Sequence, residues 1–210
     1  MKKIVLTGIF ALSVLMATAQ QWGIRGGVNI TNMSVDAEGM TVSSDSRTGL
    51  HFGLFAEFQI FESLYFQPNL LFSQKGYEYD VSLFDSFQSD GYEHFNYLDL
   101  PLNLLLKADL KGAKLLVFTG PVISYALNGK YEASITMDGS TEKDRGDIEF
   151  GDGDEKYDRA AFAWDLGAGI ELGQFQLTGS YFWGLSDITH TESNLKHKGF
   201  SVSLAYLFGK

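Results

Sequence analysis

The stretch NYLDLPLNLLLKA, residues 96–108, decides how the chain folds. Leucine stands at every second position, Leu98, Leu100, Leu102, Leu104 and Leu106, with Asp99, Asn103 and Lys107 between them. A period of two is the mark of a β-strand with one apolar face. Pro101 sits in the middle, although proline lacks the N–H that a paired strand needs. Such a strand can bear one missing bond where its neighbours on both sides hold it in place.

The same alternation recurs along the chain. Trp22, Ile24, Val28 and Ile30 oppose Arg25 and Asn29; Leu50, Phe52, Leu54, Ala56, Phe58 and Ile60 oppose His51, Glu57 and Gln59. Leu64, Phe66, Pro68, Leu70 and Phe72 oppose Gln67, Asn69, Ser73 and Lys75. Residues 115–127 are apolar on both faces, and their sides stay unassigned. Phe162, Trp164, Leu166, Ala168, Ile170 and Leu172 oppose Asp165 and Glu171. Phe175, Leu177, Tyr181, Trp183 and Leu185 oppose Gln176, Thr178 and Ser180, and Phe200 to Phe208 oppose Ser201 and Ser203. With the opening stretch these make eight segments, none with helical periodicity.

The connections alternate in length. Residues 31–49, 76–94, 128–160 and 187–198 are long and polar; Glu62-Ser63, Ala108 to Lys114 and Gly173-Gln174 are short. Up-and-down antiparallel strands with tight turns at one end and long loops at the other produce this rhythm.

The chain opens with Lys2 and Lys3, an apolar run from Ile4 to Met16, and Ala17-Thr18-Ala19. This is the pattern of a secretory signal peptide over residues 1–19, cut near Ala19, with one domain over 20–210. Removing Lys2 and Lys3 takes the net charge from −10 to −12, which disfavours nucleic acid as a partner. There are no cysteines, so neither disulfides nor a lipidated cysteine is expected. No later apolar run approaches the length of a membrane helix.

Alternation does not say which face is inside, and a soluble lipocalin-like carrier of a hydrophobic ligand shares it. Two features favour a transmembrane barrel. The aromatics Trp22, Phe58, Phe66, Phe175, Tyr206 and Phe208 fall near the short-turn end. Phe52, Phe72, Phe162, Trp164, Tyr181, Trp183 and Phe200 fall near the other, with aliphatic residues between. Two aromatic belts around an aliphatic band match the two interfaces of a bilayer. The opposite face, rich in Gly23, Gly27, Gly53, Gly167, Gly169, Ser180 and Ser203, suits a narrow lumen. The expected fold is an all-β, eight-stranded antiparallel up-and-down transmembrane β-barrel with both termini periplasmic.

The order WGIRGGVNITNMS, LHFGLFAEFQIFESLYFQPNLLFSQKG, NYLDLPLNLLL, FTGPVISYAL and DLGAGIELG resembles the PorT-like outer-membrane β-barrel proteins of Gram-negative bacteria, the "porin family". The resemblance covers nearly all of residues 20–210 except loop 128–160. It implies outer-membrane localisation, an OmpA/OmpX-type architecture, and Pro68, Pro101 and Pro121 as habitual residues, and it raises a secretion-system or extracellular protein as a partner. Surrounding lipid and lipopolysaccharide follow from that setting, and a terminal aromatic such as Phe208 suits insertion by the barrel-assembly machinery.

The inward charges Arg25, Glu57, Lys75, Asp99, Asp165 and Glu171 are expected to form a paired lumen network, with Arg25 and Glu57 at similar depth. A plugged lumen leaves a structural or interaction role through long acidic extracellular loops; a gated path would make a small passive pore. Loop 128–158 holds ten acids and four bases. Its Asp152, Asp154 and Glu155 resemble part of a calcium loop without the full spacing, so metal is a weak candidate there. His51, His94, His190 and His197 fall near the long-loop end, where a rim enzyme acting on lipid or peptide would need one as a base; no ligand spacing accompanies them. The expectation is no enzyme and no cofactor.

Overall fold

The computed structural model describes residues 21–37, 40–83, 87–137, 140–151, 156–189 and 194–208. The signal segment, its cleavage site, Asp152, Asp154, Glu155 and His190 lie outside the described residues. The strands are β1 (Gln21–Ala37), β2 (Met40–Ser43), β3 (Asp45–Gln59), β4 (Leu64–Leu83) and β5 (Phe87–Leu110), followed by β6 (Ala113–Met137), β7 (Ser140–Asp147), β8 (Ala160–Leu172), β9 (Phe175–Gly184) and β10 (Asn194–Phe208).

Eight of these close a ring. The order β1-β3-β4-β5-β6-β8-β9-β10 returns to β1 through an antiparallel ladder from Trp22↔Phe208 to Asp36↔Asn194. β2 and β7 stand outside the ring as hairpin partners of β1 and β6. Closure leaves no strand edge to face lipid, the condition for spanning a bilayer with strands. No helix among the described residues is long and apolar enough to cross a membrane.

The wall is apolar outside and polar inside. Ile24, Phe52, Leu104, Leu166, Leu177, Phe200 and Leu204 are all exposed, whereas Arg25, Asn29, Glu57, Gln67, Lys75, Asp99, Lys107 and Gln176 are all buried. In water this arrangement would be costly; in lipid it is what β-barrels require. Trp22 stacks on Phe208 with ring centroids 4.4 Å apart, and Phe175 meets Tyr206 at 5.2 Å at the short-turn end. Phe52–Phe72 and Tyr181–Phe200 form the corresponding contacts at the other end.

The ambiguous segment 115–127 resolves here. Leu116, Phe118, Val122, Ser124 and Ala126 turn inward, and Leu115, Val117, Ile123, Tyr125 and Leu127 face out. The inward row is apolar because it packs on other inward apolar groups: Leu116 and Phe118 on Leu105, and Val122 on Ala163 and Phe182. A large ring finds room over a glycine, as Phe118 does over Gly167, where any Cβ would collide with it.

Each proline interrupts one ladder without shifting it. Pairing β4 to β5 runs Gln67↔Asn103, Pro68↔Leu102, then Leu71↔Asp99, so the pair at Pro101 and its neighbour are skipped and the register is kept. The same two-pair gap occurs at Pro68 between β3 and β4, and at Pro121 between β5 and β6. One missing N–H accounts for each gap. The one-residue shift between β5 and β6 lies elsewhere, at Asn96/Tyr97.

The short turns are tight: Lys111-Gly112 and Gly173-Gln174 each hold a glycine at positive φ, 90° and 58°. The connections expected to be long loops are largely strand. β4, β5 and β6 run for 20, 24 and 25 residues, against 10 for β9. A tilted strand needs roughly 9–11 residues to cross the bilayer. Their upper parts therefore stand outside it, and Tyr131, Ala133, Ile135 and Met137 continue upward in a hairpin with β7.

Candidate functional site

The lumen is filled in layers. Near the short-turn end, the Lys107 Nζ of β5 donates to Glu57 Oε2 of β3 and, at 2.8 Å, to Glu171 Oε2 of β8. Gln67 Nε2 and Gln176 Nε2 donate to Glu57 Oε1 at 2.8 and 2.7 Å, and Gln176 also reaches Glu171 Oε2 at 3.0 Å. Arg25 lies above, donating to Asn69 Oδ1 at 2.9 Å and Gln67 Oε1 at 3.1 Å. Buried charges need compensating partners, which Lys107 finds in two carboxylates and Arg25 in amide oxygens.

The network differs from the one expected. Arg25 is in register with Gly53 while Glu57 faces Gln21, and no ion pair joins Arg25 to Glu57. The partner of Glu57 is Lys107, whose inward position was legible but whose depth was not. The amides of Gln67, Gln176 and Asn69 complete the layer; their only sequence signal was a place on the polar face.

Above this layer a cavity of about 50 Å³ is lined by Arg25, Asn29, His51, Asn103, Asp165 and Ser203 among others. Over it Lys75 Nζ meets Asp99 at 2.8 Å and Ser124 Oγ at 3.2 Å, with the rings of Tyr97 and Phe182 about 5 Å away. Asp165, expected to share that network, forms no ion pair among the described residues.

His51 lies on the cavity wall, not on an open rim. Its Nδ1 is 2.8 Å from Asn29 Oδ1 and its Nε2 2.8 Å from Ser203 Oγ. The order Ser–His–Asn is that of a nucleophile relay. Yet it faces a chamber with room for little more than water, between two filled layers. His197 is likewise buried, with Nε2 3.2 Å from Tyr97 Oη. His94 stands above the membrane, where burial and then Arg47 push its pKa down.

An aromatic cluster lies inside the barrel toward the end of the long strands. Met33, Phe95, Tyr97, Ala126, Ile148 and Ile188 form a buried cluster with Tyr77, Phe150 and Tyr157 packed on it. Tyr157 Oη donates to both carboxylate oxygens of Glu93, at 2.8 and 3.1 Å, tying Tyr157 to β5. Burial pushes the Glu93 carboxyl up, with the Tyr157 and Tyr77 hydroxyls opposing. Both tyrosine hydroxyls are held well above their ordinary range, first by burial and then by Glu93.

A closed ring, apolar without and polar within, defines an outer-membrane β-barrel protein. The chain belongs to the outer membrane protein beta-barrel domain family, whose profile matches residues 18–190. No curated protein matches it. Among solved structures it is similar to Ail, the attachment invasion locus protein of Yersinia pestis, at 14% identity and TM-score 0.39, covering 90% of this chain and 98% of that one. It is also similar to OprG of Pseudomonas aeruginosa, at 12% identity and TM-score 0.42, covering 91% and 97%. Neisserial surface protein A gives 10%, 0.40, 90% and 97%. These likenesses concern the barrel alone.

Proposed function

We propose that the protein is a closed, non-conducting and non-enzymatic barrel that acts as a structural or interaction protein through its extracellular strands. The PorT-like motif order supports placing it in that branch of the family, exported by a signal peptide cut near Ala19 and inserted by the barrel-assembly machinery. Lipid meets the belts around Trp22, Phe58, Phe66, Trp164, Tyr181, Trp183, Tyr206 and Phe208. Lipopolysaccharide and an extracellular or secretion-system protein meet the extensions.

The observation that supports the closed reading is the layer Glu57–Lys107–Glu171 with Gln67 and Gln176, in which side chains from β3, β4, β5, β8 and β9 bond to one another across the lumen. A pore would need these bonds to open together. Planar-bilayer recording tests it: the purified barrel should give no conductance, or only rare brief openings. A steady conductance would make the protein a small passive pore instead.

A further inference from the structure

We infer that the inner face of the extracellular sheet β4–β5–β6–β7 is a docking surface for an arginine-bearing segment of a partner protein, whose guanidinium stacks on Tyr131 beside Asp144. The site rests on the reading of the extracellular strands as the interaction surface and names the chemistry they take.

This face is aromatic. Register sets Tyr79 of β4 opposite Gly91 of β5, and Tyr131 of β6 opposite Gly146 of β7. A Cβ at Gly91 would stand 2.6 Å from Tyr79 Cζ, and one at Gly146 would stand 2.9 Å from Tyr131 Cε1. Each ring therefore lies across a glycine of the neighbouring strand, on the side of the sheet that also carries Ala133 and Ile135. Both tyrosines are only half-buried, so part of each ring meets solvent.

It is also acidic. Strand alternation puts Glu142 and Asp144 of β7 on this face and turns Lys143 and Arg145 to the outer one. Both acids are exposed, and above Lys75 no base among the described residues of β4 to β7 stands on this side. Tyr131 Oη donates to Asp144 Oδ2 at 3.3 Å, and the Asp144 charge pushes the Tyr131 hydroxyl above its ordinary range. A ring face with a carboxylate at its edge attracts a cation and repels an anion.

The outer face of the same sheet shows which cation fits. There Tyr92 Oη donates to Glu132 Oε2 at 3.4 Å, again an acid on the neighbouring strand. Arg47 covers that ring, its guanidinium carbon 4.1 Å from the centroid and its Nη1 2.8 Å from Glu78. Tyr131 and Asp144 repeat the tyrosine–acid pair on the inner face, where no base of the described chain lies over the ring. A planar guanidinium stacks on an aromatic ring while its N–H groups bond a carboxylate, which a lysine ammonium does less well. Four strands span about 14 Å, enough for a short extended protein segment that carries the arginine.

The test uses the full barrel in detergent micelles, titrated with the peptide acetyl-Gly-Arg-Gly-Arg-Gly-amide and followed by the NMR shifts of the Tyr131 and Asp144 amides. The arginine peptide should bind, its lysine counterpart should bind more weakly, and its glutamate counterpart should not bind. Asp144→Asn and Tyr131→Leu should each weaken the arginine peptide by about two- to five-fold. Asp147→Asn removes an equal charge from the outer face of β7 and should leave the affinity unchanged. Asp144 is exposed, so its substitution reads binding without disturbing the fold. No binding of the arginine peptide, equal weakening in Asp144→Asn and Asp147→Asn, full affinity in Tyr131→Leu, or binding of neutral maltohexaose at these amides in place of the peptide would each overturn the site. Arginine binding that Asp144→Asn leaves untouched would overturn this face alone, with the extracellular strands still the interaction surface.

Discussion

Replacing Lys107 by methionine keeps the length of the side chain and removes the one cation between Glu57 and Glu171. All three residues are at most 5% exposed, so water cannot take over the lost charge. Gln176 Nε2 bonds to both acids, at 2.7 and 3.0 Å, so the two carboxylates stand no further apart than those distances together. At a separation of about 5 Å and an effective dielectric of about 20, two negative charges repel by about 3 kcal/mol. Breaking a buried pair by removing one partner costs about 3–5 kcal/mol in general, and the two routes agree. Lys107→Met should therefore lose about 3–5 kcal/mol. Urea unfolding of the barrel in lipid vesicles, followed by the fluorescence of its three tryptophans, measures it. Neutralising the acids as well, in Glu57→Gln/Lys107→Met/Glu171→Gln, removes the repulsion and should recover most of the loss. A single-variant loss below about 1 kcal/mol, or a triple variant no better than the single, would refute the reasoning that this layer is held by charge.

Two further outcomes follow from named contacts. Burial raises the Glu93 carboxyl above its ordinary value of about 4.5, so folding binds its proton more tightly than the unfolded chain does. The contribution of Glu93 is then full below that value and is lost as pH rises through the raised folded pKa. Amide protection at residues 148–151 and 156–158, corrected for the intrinsic base-catalysed exchange rate, should fall over that rise in the wild type and stay level in Glu93→Gln; an unchanged protection profile in the variant would exclude Glu93 as the titrating group. Pro101→Ala supplies the missing ladder bond, worth about 1 kcal/mol, and frees the unfolded chain at a cost of about 0.4–1 kcal/mol. The two nearly offset, so stability should move by less than about 1 kcal/mol; a loss above about 2 kcal/mol in the unfolding assay would mean the proline has a packing role.

The fold was legible because face is a local property. Leu98 to Leu106 alternate with Asp99, Asn103 and Lys107 whatever the rest of the chain does, and the tight turns at Gly112 and Gly173 announce themselves by residue type. The upper parts of β4 and β6 read as connections because polar residues dominate one face, although Tyr77, Tyr79, Val81 and Leu83, and Tyr131, Ala133, Ile135 and Met137, keep a period of two that already suggests a hairpin continuing above the membrane. Residues 115–127 were undecided for the opposite reason, both faces being apolar.

Depth was not legible. The sequence by itself determined which side chains enter the lumen: Arg25, Glu57, Lys75, Asp99, Lys107, Asp165 and Glu171 all sit at inward positions of alternating strands. Which of them meet was decided by the register and stagger of the closed ring, a property of all eight strands together. Lys107 finds Glu57 and Glu171 across 50 and 64 residues, while Arg25, apparently level with Glu57, bonds to amides instead. Alternation is set by neighbours in the chain; height in the barrel is set by closure, and only the tertiary structure contains it.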